Sequence, residues 1–368
     1  MRRVLTSYYR PKPGGFCKRL FRGINALLQG GCEVHYLSVV PFPIQHDNCH
    51  FHRFPWPERF SDSLVFWGVF HVVSPFILTY LAFRYRITNI FAFSPTYGLF
   101  FQPVRILKKI PLSIFVRADT IENHRLKSRP NWLIGLENIL EGMAIYGAHI
   151  FGVSDVLTRT VCSRHPYAVI AGSATLRNDI SPCCQDRVYL GGKALRFAVV
   201  GILEPRKNQH FILEVMTRLD ADSCSLDIYG VGADADKLNS LVDQLKLRNS
   251  VRFKGWVERE KIWPNVDLLL MPSLHEGAPN ALLEALELGI PVLASDIPEH
   301  REILPQESLI SLDKTSLWSE RIGEIIKNPS VELQQLTVAQ KAAAERLHFD
   351  WDHDFRVAVI SPDSISSE

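Results

Sequence analysis

Short apolar strands alternate with helical stretches along most of the chain, and this alternation constrains the fold more than any other feature. Such an order is typical of parallel sheets covered by helices on both faces, because each crossover between parallel strands needs a helix. The predicted strands of the first half are residues 3–8, 33–40, 89–93, 112–116 and 149–153. Those of the second half are residues 195–200, 225–229, 251–253, 266–271 and 291–294. The sequence therefore predicts an α/β protein with two doubly wound, Rossmann-like domains facing across a cleft.

A shift in composition marks the expected boundary between these domains. Residues 181–193 are rich in Pro, Cys, Gly and polar residues, which is typical of a linker, and a chain of 368 residues is long enough for two domains. The predicted domains are residues 1–185 and 186–345. A helical tail follows at residues 346–368, and we expect it to pack back on the N-terminal domain.

The charges are distributed unevenly between the two halves. The whole chain carries a net charge of +2, which argues against a general nucleic-acid binder. Residues 1–185 hold 21 basic and 10 acidic residues, whereas residues 186–368 hold 20 and 29. We expect the basic half to meet an anionic partner. Seven cysteines, an odd number without paired metal-ligand spacing, indicate reduced thiols in the cytoplasm.

The longest apolar segment, residues 64–83, approaches the length that crosses a bilayer. It contains His71 and Pro75, and three interpretations stay open: a spanning helix, a buried helix of a globular domain, or a helix lying in a membrane interface. Basic residues follow this segment and the next apolar run: Arg84, Arg86, Arg105, Lys108 and Lys109. They suit an anionic lipid surface. Because the N-terminus lacks the apolar stretch of a signal peptide, we expect a cytoplasmic protein, peripheral on the inner face of the membrane.

Residues 271–304 are the segment richest in candidate chemistry. Glu276 and Gly277 lie in a turn after an apolar strand, and Asn280 begins a helix that carries Glu284 in its first turns. Glutamates on a surface helix alone would be solvated charges, but at a strand-to-helix switch both carboxylates can face one crevice. The backbone N–H groups of Asn280, Ala281 and Leu282 would form a phosphate site together with the helix dipole.

The order of residues 276–284, Glu-Gly-Ala-Pro-Asn-Ala-Leu-Leu-Glu, matches the E-x7-E motif of retaining glycosyltransferases of the GT-B fold. The chain looks most like family 4 of that classification. Four more segments resemble the family in order and spacing: residues 199–208, 227–232, 251–257 and 291–296. The resemblance covers about residues 195–304 and is weaker in the N-terminal half.

This resemblance implies transfer of a sugar from a nucleotide-diphosphate donor, held by the C-terminal domain, to an acceptor held by the N-terminal domain. Lys207 stands where the family places a cation that stabilises the leaving diphosphate, although as a loop residue it could also be a solvated charge. The family arginine is replaced by Ile202, and Arg206 is the candidate substitute. Glu284 would accept hydrogen bonds from the ribose. Glu276 would contact sugar hydroxyls and stabilise positive charge at the anomeric carbon.

Arg117 completes the predicted catalytic set of Glu276, Lys207 and Arg117. It stands where family members often carry a histidine, and it would bind a phosphate or sugar hydroxyl or pair with Asp119. Gly14 and Gly15 would let the backbone approach the ligand, or would form a plain tight turn. The predicted donor-binding residues are Gly14, Gly15, Arg206, Lys207, Gly230, Trp256, Val257, Glu276, Gly277, Asn280, Ala281, Leu282 and Glu284.

The resemblance implies no metal and no further cofactor. Two acidic pairs, Asp234 with Asp236 and Asp352 with Asp354, are interpreted as residues of a helix start and of the tail. The expected partners are a nucleotide-diphosphate sugar, a glycan or lipid-linked acceptor and an anionic membrane surface, but no nucleic acid. Alternative functions are an epimerase or phosphorylase of the same fold, or a catalytically silent sugar-nucleotide-binding protein.

Overall fold

A computed structural model describes residues 1–8, 15–57, 64–175, 194–277, 279–345 and 350–362. It divides into two compact units. Unit 1 comprises Met1–Arg177 and Asp350–Glu368, and unit 2 comprises Asn178–Phe349. The linker predicted at residues 181–193 and Gly14 lie outside the described residues.

Unit 1 contains a seven-stranded sheet in the order β3-β2-β1-β4-β5-β6-β7, and every pair of neighbouring strands is parallel. Its strands are β1 (Arg3–Ser7), β2 (Glu33–Ser38), β3 (Cys49–Arg53), β4 (Asn89–Ala92), β5 (Leu112–Val116), β6 (His149–Gly152) and β7 (Val169–Thr175). Its first six helices are α1 (Gly15–Gln29), α2 (Leu64–Arg84), α3 (Pro95–Lys108), α4 (Thr120–Leu126), α5 (Asn131–Ile145) and α6 (Asp155–Arg164).

Unit 2 contains a six-stranded parallel sheet in the order β10-β9-β8-β11-β12-β13. Its strands are β8 (Leu195–Val200), β9 (Cys224–Tyr229), β10 (Val251–Gly255), β11 (Leu268–Met271), β12 (Val292–Ser295) and β13 (Leu309–Ile310). Its helices are α7 (Gln209–Met216), α8 (Ala235–Gln244), α9 (Arg259–Ile262), α10 (Asn280–Glu287), α11 (Pro298–Arg301), α12 (Thr315–Lys327) and α13 (Pro329–Glu345). Successive residues of β8 face opposite sides of the sheet. Phe197 packs in the hydrophobic core on one side, and Ala198 packs in the core on the other. Both faces are therefore covered, which confirms the predicted fold class.

The last helix, α14 (Trp351–Ile360), packs within unit 1. The side chain of Asn89 donates to the carbonyl of Val359 at 3.0 Å, and the ring of Phe355 meets that of Phe91 edge to face. Helix α1 passes close to this ring, because a Cβ added at Gly23 would lie 2.5 Å from it. Buried hydrogen bonds and a close helix contact thus hold the C-terminal helix on unit 1.

The strand order of unit 2 determines where ligands can bind. The chain leaves β8 towards β9 on one side and reaches β11 on the other, so the order reverses between β8 and β11. The loops that follow two such strands diverge and leave a crevice outside their carboxyl ends. The loop after β8 carries Arg206 and Lys207, and the loop after β11 carries Glu276.

The apolar segment of the first half forms one helix, α2, which continues through Pro75. Among the described residues, no helix combines the length and apolar character needed to cross a membrane.

Candidate functional site

Two loops of unit 2 bring one acid and two cations together. Lys207 Nζ lies 2.5 Å from Glu276 Oε1, and Arg206 Nη1 lies 3.1 Å from Glu276 Oε2. Consecutive residues can reach one carboxylate here because Pro205–Lys207 forms a 3₁₀ turn, which Asn208 ends in the left-handed conformation (φ 53°). Arg206 also pairs with Glu204. The alternative interpretation of Lys207 as a solvated loop charge is therefore wrong, because its side chain is largely buried and paired with Glu276.

The Glu276 carboxylate is almost completely buried, with 1% of the residue exposed. Ser273 Oγ donates a third hydrogen bond to it at 2.7 Å. Burial by itself raises the pKa of a carboxyl, but the charges of Lys207 and Arg206 outweigh that effect and lower the pKa of Glu276 to about 2. The group is consequently a carboxylate at neutral pH.

Gly201 and Gly230 allow close packing at the ends of β8 and β9, where any side chain would meet Lys207 or the backbone. A Cβ added at Gly201, which follows β8, would lie 3.3 Å from Lys207 Cε. A Cβ added at Gly230, which follows β9, would lie only 1.8 Å from the carbonyl oxygen of Gly201, and Gly230 has a φ of +136°. No larger residue fits at Gly230 without moving backbone.

Glu284 has a different set of partners from Glu276. Trp263 Nε1 donates to its Oε2 at 3.2 Å, and Arg259 Nε lies 3.5 Å from the same oxygen. Partial burial raises the pKa of Glu284 despite the nearby Arg259 charge. Arg259 also pairs with Glu287. The Glu284 side chain is still 29% exposed, so its carboxyl group is accessible to a ligand's hydroxyl groups.

Helix α10 begins at Asn280, as predicted, with Pro279 before it. The N–H groups of Leu282 and Leu283 donate to the Pro279 carbonyl at 3.0 and 3.1 Å. The prediction that Leu282 offers a free N–H group is therefore wrong, because the first turn is closed by this carbonyl. Ala281 is the neighbouring residue whose amide remains a candidate for an anion.

The remaining predicted residues lie in varied surroundings. Trp256 is 73% exposed after β10, while Val257 packs partly against the core. Gly277 is buried beside Glu276, and Gly15 is the first residue of α1. In unit 1 the guanidinium of Arg117 lies 5.7 Å from the centre of the Phe93 ring, which is a cation–π distance.

Asp119, the residue considered as an ion-pair partner for Arg117, has a structural role. Its Oδ1 accepts from the N–H of Glu122 at 3.0 Å and so caps α4. Arg164 holds the same carboxylate in a two-pronged contact of 2.6 and 3.1 Å and also reaches Glu141.

His300 is a residue near the site that the sequence did not single out. It lies on α11 with no exposed surface, its Nδ1 lies 2.8 Å from the carbonyl of Ser295, and the Glu276 charge acts on it. Burial lowers its pKa, so the ring is neutral at pH 7. Within the described parts of the chain its Nε2 has no hydrogen-bond partner. The sequence could have pointed to His300, because it follows the carboxyl end of the predicted strand that becomes β12.

Comparison with known proteins finds similarity mainly in the second half of the chain. Residues 189–344 match the family model described as "Glycosyl transferases group 1". The chain is 32% identical over 147 residues to the O-antigen biosynthesis glycosyltransferase WclY of Escherichia coli, which is 40% of this chain and 36% of that relative. It is 26% identical over 181 residues to the putative colanic acid biosynthesis glycosyltransferase WcaL of Escherichia coli K12, covering 45% and 43% of the two. The predicted resemblance to glycosyltransferases is confirmed, although the chain spans only about a third of the length of the first of these relatives.

Solved structures match nearly the whole chain. The lipopolysaccharide outer core galactosyltransferase WaaB has a TM-score of 0.70 at 15% identity, over 97% of this chain and 99% of that one. The sucrose-phosphate synthase of Thermosynechococcus elongatus has a TM-score of 0.72 at 16% identity, over 96% of each chain. Anabaena HepE, in complex with UDP and glucose, has a TM-score of 0.64 at 14% identity, over 97% of each. At identities this low, such matches show the fold alone. The three structural matches confirm the GT-B fold.

Proposed function

We propose that this protein is a glycosyltransferase that moves a sugar from a nucleoside diphosphate donor to an acceptor and retains the anomeric configuration. The observation that carries the proposal is the convergence of Lys207 and Arg206 on Glu276 at the switch point of unit 2. Retention follows the resemblance of residues 276–284 to the motif of retaining enzymes.

The donor's diphosphate would bind to the two cations. Negative charge develops on the diphosphate as the bond to the sugar breaks, and fixed positive groups stabilise that charge without having to reorganise. The 3₁₀ turn fixes Lys207 and Arg206 on one side of the crevice, and the Ala281 amide lies at the start of α10. Because these side chains supply the positive charge themselves, we propose that transfer needs no metal.

Glu276 would contact the sugar while Lys207 and Arg206 stay beside it and bind the diphosphate. As long as both cations remain close, they hold the pKa of Glu276 at about 2, and the charged oxygen accepts strong hydrogen bonds from sugar hydroxyls. It would also stabilise the positive charge that the anomeric carbon gains in the transition state. Glu284, oriented by the Trp263 indole N–H, would accept hydrogen bonds from the ribose.

The acceptor side of the proposal rests on unit 1, whose helices α2 and α5 carry exposed apolar stripes. The exposed residues of α2 include Val65, Val72, Phe76, Tyr80 and Phe83, and those of α5 include Trp132, Leu136, Ile139, Leu140 and Met143. Helix α3 packs against both helices and carries Arg105 and Lys108 in its last turn. Apolar stripes bordered by cations suit a peripheral position on an anionic membrane, where a lipid-linked acceptor would be available. Relatives named for O-antigen and colanic acid biosynthesis support such an acceptor.

A thermal-shift screen of nucleoside diphosphate sugars tests the donor site, because a ligand that binds the folded state raises its apparent stability. We expect at least one donor to raise the melting temperature of the wild-type protein. Lys207→Ala should abolish most of the shift, whereas Lys237→Ala, an exposed lysine of α8, should preserve it. A protein that no donor stabilises, or an unchanged shift with Lys207→Ala, contradicts the donor site.

Turnover of the selected donor separates the enzyme from its alternatives. A glycosyltransferase forms a new linkage only when an acceptor such as a lipid extract is added, and NMR of the product reads the anomeric configuration. Conversion of the donor without an acceptor would indicate an epimerase, a requirement for inorganic phosphate would indicate a phosphorylase, and binding without turnover would indicate a silent binder. Each of these three outcomes contradicts the proposal.

Flotation with lipid vesicles tests the membrane surface separately. We expect the protein to float with vesicles that contain anionic lipid and not with zwitterionic ones. Phe76→Asp, on the exposed stripe of α2, should weaken flotation, while Val338→Asp, a similarly exposed valine of α13, should not. Equal flotation of the two variants contradicts the assignment of this surface.

A further inference from the structure

Four side chains gather on one face of the sheet edge formed by β2 and β3. These strands are parallel, and the register pairs His35 with His50 and Leu37 with His52. Side chains along a strand alternate between faces, so Glu33 shares a face with His35, and His50 shares one with His52. Glu33 and His50 lie at or next to the amino ends of their strands, and His35 and His52 follow two residues further along, whereas Arg117 follows the carboxyl end of β5.

Three of these side chains, Glu33, His35 and His50, place one ligand atom each in a small volume. Glu33 Oε1 lies 3.0 Å from His35 Nε2 and 3.3 Å from His50 Nε2, and the three ligand atoms all lie within 4.8 Å of one another. In a tetrahedral site with metal–ligand bonds of about 2.0–2.1 Å, neighbouring ligand atoms are roughly 3.3 Å apart. The two short distances therefore already match the edges of a zinc coordination tetrahedron.

Further residues fix the orientation of these groups. His35 Nδ1 lies 2.9 Å from His52 Nε2, so a hydrogen bond at Nδ1 can leave the Nε2 lone pair of His35 for a metal. Arg3 Nε donates to the second oxygen of Glu33 at 2.7 Å. The ring of Tyr85 packs 4.5 Å from that of His35. Bonding partners of the ligands are what distinguish a built metal site from surface residues that happen to be close.

Burial within the cluster is graded. The side chain of His35 is 1% exposed and that of Glu33 15%, whereas that of His50 is 41% exposed. Two ligands are thus held inside the protein, and the third lies at the surface, where an ion can enter and a water molecule can take the fourth position.

We propose that Glu33, His35 and His50 bind one divalent transition-metal ion, with Zn²⁺ the preferred species, and that the ion fastens the edge strand β3 to β2. Imidazole ligands favour zinc and its neighbours over Mg²⁺ or Ca²⁺, which prefer oxygen ligands. Binding exchanges the hydrogen bond between Glu33 and His35, and the ion-pair contact between Glu33 and His50, for metal bonds and releases any proton carried on the two Nε2 atoms. This site belongs to unit 1 and does not depend on the proposed function of unit 2.

Calorimetry with ZnCl₂ on chelator-treated, full-length protein tests the proposal. We expect one ion per chain, with binding at least tenfold weaker in His50→Ala, whose side chain is exposed enough to remove without unfolding the sheet. His46→Ala, an exposed histidine four residues earlier, serves as the matched control and should bind like the wild type.

Two further measurements make the result independent of folding. Co²⁺ added to the wild type should give the visible absorption of a tetrahedral site, and that absorption should be lost in Glu33→Gln. Zn²⁺ should raise the melting temperature of the wild type and of His46→Ala, while Mg²⁺ should not. Absence of binding, or equal zinc affinity in wild type and His50→Ala, would overturn the proposal and leave the cluster as a hydrogen-bonded group of histidines.

Discussion

Replacing Lys207 by methionine removes one of the two cations that hold the buried Glu276 carboxylate, while it keeps a side chain of similar length over Gly201. The pKa of Glu276 is about 2 instead of its ordinary 4.5. That difference corresponds to roughly 3 kcal/mol in favour of the charged form. Removing one partner from a buried ion pair costs about 3–5 kcal/mol in other proteins. We therefore expect Lys207→Met to destabilise unit 2 by about 3 kcal/mol at pH 7.

The loss should depend on pH in a definite direction. In the folded wild type the pKa of Glu276 lies below its unfolded value, so its contribution to stability is complete above about pH 4.5 and is lost as the pH falls towards 2. Lys207→Met should raise the pKa of Glu276 in the folded protein, because it removes one of the two cations beside the carboxylate. The difference in stability between wild type and variant should consequently be largest at neutral pH and shrink as the pH falls below about 5.

Hydrogen exchange of peptides from residues 194–345 measures this free energy of opening within unit 2. The double-mutant cycle with Glu276→Gln should give a coupling of about 3 kcal/mol. Lys237→Met, on the exposed face of α8, is the control and should change stability by less than about 0.5 kcal/mol. A coupling below about 0.5 kcal/mol, or a loss that does not change with pH, would refute the reasoning.

The other predictions concern Glu284, two glycines and Ile202. Because burial raises the pKa of Glu284, donor affinity should fall as the pH is lowered from neutrality and the carboxylate takes up a proton, and calorimetry should show a flatter pH profile for Glu284→Gln; an identical pH dependence in both proteins contradicts the ribose contact. Gly230→Ala should lower the stability of unit 2 by at least about 2 kcal/mol, because its Cβ would meet a carbonyl, whereas Gly323→Ala in α12 meets no atom within 4 Å and should gain up to about 1 kcal/mol. Thermal unfolding of both variants checks this, and equal melting temperatures would count against the close approach. Ile202→Arg, which restores the family's cation at a half-exposed position, should tighten nucleoside diphosphate binding at least about threefold, and weaker binding would show that the side chain does not reach the crevice.

Local patterns were sufficient to predict the fold class, and the family resemblance singled out the residues of the proposed donor site. The alternation of strands and helices identified most of the strands of both sheets, because a parallel sheet needs a helical crossover at nearly every step. Pro279 predicted the start of α10, since proline fixes a backbone angle that suits a helix start and is disfavoured in a helix interior. Lys207 was identified through the resemblance of residues 199–208, a segment of ten residues, to a segment of the family.

Contacts between distant residues were not predictable in the same way. Arg206 and Glu276 are 70 positions apart, and no local pattern shows that both cations of one turn would reach one carboxylate. Strand β3 was missed, because its histidines at alternate positions lack the apolar signal of a buried strand. The grouping of His50 with Glu33 depends on the pairing of β3 with β2, which exists only once the sheet has formed.

Calorimetric titration with a nucleoside diphosphate, and with the matching nucleoside as the control ligand, tests the central claim that the Arg206–Lys207 turn binds a donor's diphosphate. We predict that Lys207→Ala weakens the nucleoside diphosphate at least tenfold, about 1.4 kcal/mol, and leaves the affinity for the nucleoside unchanged. An unchanged affinity for the nucleoside diphosphate in the folded variant would contradict the account.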